Sequence, residues 1–271
     1  MRTISKQEGI LLQHFNQKNQ TCFTTTQAAE LYTSLSKNNI HKILSHMTQK
    51  GLLMRIKEGL YCIIPYEQDP LSFIPDWHLL VPYLVKNDHY YIGYFAALQI
   101  HQLNTQPSLK EQIVVNYQIQ PATITIKDIP FQFIYHNSKH FFGYQKTWVN
   151  SFHQVNCSDI EKTILDSLFR PKYSGGITEV AKALYLAKDK IDMHKLFAYT
   201  QNFQSQAVIK RLGFILETLA IRDPILEKLR PTKSASIIPL DPEIPPMGKI
   251  VTRWSIQQNI DTFTLQSSIY T

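Results

Sequence analysis

Residues 24–64 read TTTQAAELYTSLSKNNIHKILSHMTQKGLLMRIKEGLYCII, and their order decides how the start of the chain folds. Thr24 and Gln27 have the spacing of a capping box, which satisfies two backbone N–H groups where the short helix AAELY begins. SLSK forms the turn. Ser36 caps a further helix that runs to Lys50 and stops at Gly51, a residue free to adopt left-handed backbone angles. Within it Ile40, Ile43, Leu44 and Met47 fall at i, i+3, i+4 and i+7, which is a core stripe. LLMRIKEGLYCII then places two apolar runs around Lys57-Glu58-Gly59, the pattern of a β-hairpin turned by a glycine, with Tyr61 as a packing residue. Helix, turn, helix and hairpin is the order of a winged helix-turn-helix, which lays its recognition helix in the major groove of DNA.

Charge points the same way. No acidic residue lies between Glu30 and Glu58, whereas Lys37, Lys42, Lys50, Arg55 and Lys57 do. Residues 1–65 hold eight Lys or Arg against three acids, a net +5 of the formal +7 carried by the whole chain. An excess concentrated at one end marks a nucleic-acid-binding end. Off the core stripe of the recognition helix lie Lys37, Asn38, Asn39, His41, Lys42 and Ser45. Asn pairs with adenine, Lys binds guanine or phosphate, and base contacts gather toward the N-terminal end of such a helix. Arg55 and Lys57 sit near the hairpin tip, within reach of a phosphate or the minor groove. These eight are the candidate DNA-binding residues. The competing account is a solvated helix face and an edge strand blunted by lysine. If about five cations neutralise phosphates, log affinity falls against log salt with a slope of roughly −4 to −5.

Working outward, Ser5 and Glu8 form another capping box ahead of Leu11, Leu12 and Phe15, so a first helix precedes the quoted stretch. Pro65-Tyr66-Glu67-Gln68-Asp69-Pro70 follows the hairpin and marks a boundary. A chain of 271 residues suits two domains, and 44% apolar with 18% charged residues gives each a core. The expectation is an α+β protein: an N-terminal winged helix-turn-helix over 1–68, then a larger mixed α/β domain over 69–271. The second domain reads as helices WHLLVPYLVKN and GYFAALQIHQL within 77–103 and a strand-rich stretch over 105–156 (QIVVNY, TITI, IPFQFIYH, TWVNSFHQV). A helical stretch over 158–230 follows. Ser158 and Glu161 form a third capping box, with Ile160, Ile164, Leu165 and Leu168 as the core face behind it. Further helices fall near 177–188, 192–201 and 205–220.

No catalytic or metal-binding motif emerges, so neither a catalytic residue nor a cofactor is assigned. Glu161 and Asp166 lie five apart and share no clean helix face. Asp159 and Glu161 suit a helix first turn. The ten histidines lack metal-ligand spacing, and His41 and His46 read as surface or DNA-facing. Tyr173-Ser174-Gly175-Gly176 lacks the lysine of a phosphate-binding loop and reads as a turn needing positive φ. Lys127-Asp128 is a Lys–acid pair near the strands, and one acid does not set up two-metal chemistry. Lys210-Arg211 offers either a second nucleic-acid or partner contact or a solvated face. Cys22, Cys62 and Cys157 are widely spaced, so no disulfide framework or zinc site is expected and a reducing cytoplasm fits. MRTISKQEGILL lacks a secretory apolar run, and no segment approaches about 18 uninterrupted apolar residues, so no leader and no membrane partner are expected.

GLLMRIKEGLY resembles the G-L-x-R-x-x-x-G-x-Y hairpin of the AbiEi family, the antitoxins and transcriptional regulators of AbiE-type (type IV) toxin–antitoxin systems. YIGYFAALQIHQL (91–103) is similar to its A-L-x-x-H-x-L helix, and SDIEKTILDSLFRPKYSGGITEVAKAL (158–184) to its E-(K/R)-T-(I/L)-(L/I)-D…P…G-G…A-L stretch. AVIKRLGFILETL (207–219) resembles its R-L-G helix, and PLDPEIPPMGKIVTRWSIQQN (239–259) its terminal L-D-P…W…N element. The pieces run in the family's order across most of the chain. The resemblance implies a cytoplasmic repressor that binds double-stranded DNA at inverted repeats in its own promoter. It also implies a second domain that helps neutralise a nucleotidyltransferase toxin. Two other functions fit the sequence: a winged-helix protein-interaction module, and a nucleic-acid-processing enzyme targeted by a winged helix.

Overall fold

The computed structural model describes residues 3–270 and divides into two compact units. One comprises the chain through Asp88 with 125–129 and 148–154; the other comprises 89–124, 130–147 and 155 onward. The whole is a mixed α+β fold.

In the first unit the order is α1 (Lys6–Gln17), β1 (Cys22–Thr24), α2 (Thr25–Leu31), α3 (Lys37–Gln49), β2 (Leu53–Lys57) and β3 (Leu60–Ile63). The starts follow from the caps. Ser5 Oγ accepts the Glu8 N–H while the Glu8 carboxylate accepts the Ser5 N–H, and Thr24 and Gln27 repeat the exchange at α2. Ser36 Oγ accepts the Asn39 N–H at α3, and Gly51, at φ +70°, ends that helix. The sheet is antiparallel in the order β1-β3-β2. Leu11, Phe15, Phe23, Ile40, Leu44, Met47 and Tyr61 meet in one core, with the Phe15 and Phe23 rings stacked at 4.3 Å. Residues 77–83, expected as α-helix, form a 3-10 helix (Trp77–Tyr83) with Pro82 inside it, and a proline lacks the N–H an α-helical ladder needs. Tyr83 ties this turn to the sheet, donating its hydroxyl to Cys22 O and accepting from Gln20 Nε2 at 3.0 Å.

The expectation for the cysteines is overturned. Cys22 faces Cys62 across β1 and β3, and the pair is a disulfide closing a separation of 40 residues. Spacing along the chain held no sign of it, because the register is set by β1, a three-residue strand too short for a periodic signal. Cys157 is a free, buried thiol.

Beyond Asp88 the chain runs through β4 (Tyr90–Ile92) and α4 (Tyr94–Ile100), then β5 (Glu111–Val115), β6 (Thr123–Ile126), β7 (Ile129–Tyr135), β8 (Tyr144–Trp148) and β9 (Gln154–Ser158), of which 125–129 and 148–154 are grouped with the first unit. These strands form a six-stranded sheet in the order β6-β7-β5-β4-β9-β8. It is mixed: β4 runs antiparallel to β5 but parallel to β9, and β5 is parallel to β7. Lys127 and Asp128, at φ 50° and 66°, turn β6 into β7, the two positive values a tight hairpin requires. The helices α5 (Ile160–Phe169), α6 (Ile177–Ala187), α7 (Met193–Phe203), α8 (Gln206–Thr218) and α9 (Ile225–Leu229) pack into one apolar core. A small sheet of β10 (Ile238–Pro239), β11 (Lys249–Val251) and β12 (Ile256–Gln258), with β12 central, and α10 (Thr262–Ser267) complete the second unit.

Ser158 is not the cap of α5. It ends β9, and its hydroxyl is taken by Ile92 O and Thr163 Oγ1, so Asp159 caps the helix by accepting the Lys162 N–H at 2.8 Å. Lys210 and Arg211 are neither solvated nor available to a partner: they are 0% and 3% exposed. Lys210 Nζ donates to the hydroxyls of Ser234 and Ser236, both at 3.0 Å, and to Ser236 O. Arg211 donates to Leu240 O at 2.9 Å and Leu168 O at 2.7 Å, so it clasps two segments that a solvated helix face would leave apart.

Candidate nucleic-acid interface

The α3 sequence positions its polar set by burying the opposite side. Ile40, Leu44 and Met47 are at most 2% exposed, and Ile43 is half-buried. That anchors the helix against α1, β1 and the hairpin core and turns Lys37, Asn38, Asn39, His41, Lys42 and Ser45 to solvent; all six are exposed. His46 and Gln49 are exposed too, and no acidic residue lies on the helix. Lys37 opens the helix directly after its Ser36 cap, where unsatisfied N–H groups add positive potential to the lysine charge.

On the hairpin, Arg55 and Lys57 are both exposed, while Ile56 between them is 8% exposed. The register shifts between Arg55 and Lys57, a bulge, and Gly59 turns the hairpin at φ +72°. The two cations differ in availability. Lys57 Nζ donates to Tyr83 O at 3.3 Å, so it is partly engaged. Arg55 is the freer of the two.

Lys50, one of the five cations in the acid-free stretch, is withdrawn from the group. Its Nζ lies 2.8 Å from both oxygens of Glu8. Burial alone would raise the Glu8 carboxyl pKa, but Lys50 and the Ser5 N–H and hydroxyl outweigh it and hold that pKa below its ordinary value. The structure therefore offers Lys37, Lys42 and Arg55 in the open, with Lys57 tied to one carbonyl.

The second unit carries a polar cluster that sequence inspection missed. Lys162 and Asp166, at i and i+4 on α5, form an ion pair with both side chains 0% exposed. Tyr91 OH donates to Asp166 Oδ2 at 2.9 Å and accepts from Lys162 Nζ at 2.8 Å. His136 Nδ1 lies 3.8 Å from Asp166 Oδ1, and His136 Nε2 lies 2.7 Å from Tyr94 OH. Burial pushes the His136 pKa down to about 4, against the opposing pull of Asp166. The i, i+4 pair in IEKTILDSL was the one legible sign; Tyr91, Tyr94 and His136 come from distant strands and α4. Every member is buried, so the arrangement satisfies polar groups inside the core.

Two other chemistry-bearing motifs are occupied from within. Gly175 and Gly176 adopt φ 83° and 94°, as a positive-φ turn requires. The first N–H of α6, on Ile177, donates to Asp241 Oδ2 at 3.0 Å, so a carboxylate of the chain holds the place a phosphate would take. Among the described residues, no three His, Cys, Asp or Glu side chains group as a metal site. Among them, too, no helix is long and apolar enough to cross a membrane.

No family model matches the chain, and no curated protein matches it. Among solved structures, it is similar to the crystal structure of the RV2827C protein from Mycobacterium tuberculosis. The TM-score is 0.70 at 11% sequence identity, covering 100% of this chain and 97% of that one. At that identity the likeness is one of fold.

Proposed function

We propose that this protein is a DNA-binding transcriptional repressor whose first unit works as a winged helix-turn-helix. One observation carries the proposal: α3 presents an exposed, acid-free polar face beside a hairpin bearing exposed Arg55. The element order and the sheet order β1-β3-β2 support it, because a capped helix and a two-stranded hairpin lie in one module. Lys37, Asn38, Asn39, His41, Lys42 and Ser45 meet the groove, and Arg55 and Lys57 the sugar–phosphate backbone. Repression works by occlusion of the promoter. The resemblance to AbiEi antitoxins extends the proposal to an operator of inverted repeats in the protein's own promoter and a nucleotidyltransferase toxin as partner of the second unit. It is a binding protein in this account, not an enzyme.

Gel-shift titration of the full chain on its upstream DNA tests the DNA partner. With Lys50 in an ion pair and Lys57 partly engaged, three to four cations remain. The log–log salt slope is then about −3 to −4, shallower than five cations would give. Absence of a shift at low salt refutes the proposal. A pull-down with the adjacent open reading frame's product tests the toxin partner separately.

A further inference from the structure

We infer that α3 divides its labour, with Asn38, Lys42 and Ser45 reading bases and Lys37, Asn39 and His41 holding the flanking phosphates; this rests on the DNA-binding proposal above. The operator then has an adenine opposite Asn38 and a guanine about one base step away opposite Lys42. An α-helix turns about 100° per residue. Ile40, Leu44 and Met47, the buried residues of α3, fix the direction of the core. Asn38, Lys42 and Ser45 project within about 50° of the opposite direction, whereas Lys37, Asn39 and His41 lie more than about 70° from it. The first set faces a groove floor and the second its walls. Gln49 shares the outward stripe. It stands about 16 Å from Asn38 along the axis, where a straight helix has left the curving groove, and base contacts concentrate near the N-terminal end.

Side-chain chemistry sets the bases. An Asn amide donates and accepts together and so matches the N6 and N7 edge of adenine. An ammonium only donates and so matches O6 and N7 of guanine. The spacing follows from the rise: Asn38 to Lys42 spans about 6 Å and Asn38 to Ser45 about 10 Å. In a helix lying along the groove, three to four residues advance about one base step, so these are about one and two steps, a readout of about three base pairs.

In vitro selection from a random DNA pool, with the full-length protein and its Asn38→Ala and Lys42→Ala variants, tests this. Circular dichroism confirms that the variants keep their helix content. The expected result is an enriched site with an A·T pair next to a G·C pair. Asn38→Ala relaxes the first preference, and Lys42→Ala the second, by roughly ten-fold or more. An enriched site without that pair overturns the inference and leaves the repressor reading standing. So does a Lys42→Ala variant that weakens all sequences equally, the mark of a phosphate contact. Failure to enrich any DNA overturns the repressor reading and this inference together.

Discussion

Four lysines written into similar helical contexts end in four different states. Lys42 is exposed on α3, and Lys50 is paired with Glu8. Lys162 is buried against Asp166, and Lys210 is buried against two serine hydroxyls and a carbonyl. Charge counting treats them alike, but only the first could be placed from local pattern. Lys42 stands opposite the core stripe of its own helix. The pairing of Lys50 with Glu8, 42 residues away, was not legible there. On the proposed function, Lys42→Glu puts a negative charge against the DNA and is expected to abolish binding; because residue 42 is exposed, the thermal midpoint stays within a few degrees. Unchanged affinity in a gel shift would remove α3 from the groove.

Among the elements, α8 shows how one residue can fix a helix against a distant segment. The Trp254 ring packs against Gly213 of α8, and a methyl group there would overlap the ring. Trp254 is 0% exposed and donates its Nε1–H to Glu217 at 2.6 Å, so it has no easy retreat. Gly213→Ala costs about 1–3 kcal/mol or more by overpacking, read as a lowered urea midpoint. The β1–β3 pair makes the complementary point. Closing a loop of 40 residues, the Cys22–Cys62 bond restricts the unfolded chain and is worth about 4 kcal/mol on the chain-entropy account. Adding a dithiol reductant therefore lowers the melting temperature of the first unit, while a Cys22→Ala/Cys62→Ala double variant melts at one temperature with or without reductant.

At the scale of the whole molecule, residues 160 to 260 hold together through the positions that carry the AbiEi resemblance. Arg211 donates to Leu240 O, and Asp241 accepts from Ile177. Asn259 Nδ2 donates to Asp241 O at 2.7 Å, and Trp254 packs on Gly213. These positions are framework, which is why they read as motifs without revealing a reaction. The buried polar cluster behind α5 gives the second unit a pH dependence. His136 titrates near 6.5 when unfolded and at about 4 when folded. Between those values the unfolded chain binds the extra proton, so this contribution is complete above about pH 6.5 and fades as pH falls toward 4, by about 3 kcal/mol in all. Denaturant midpoints measured from pH 7 to 4 should fall in that window, and His136→Gln should flatten the decline. A decline that is unchanged in the variant would assign it to other groups.

The sequence by itself determined the starts of α1, α2 and α3, the polar face of α3, the hairpin and the strands β5, β6 and β7 of the large sheet. Each rests on information within a dozen residues: a cap three positions from its partner, a stripe of period 3.6, a glycine at a turn. Only the tertiary structure decided the disulfide, the clasp made by Lys210 and Arg211, the Asp159 cap and the cluster of Tyr91, Tyr94, His136, Lys162 and Asp166. Those depend on which distant segments share a register or a core. A charged side chain is solvated or buried according to what arrives opposite it, and no local periodicity records that.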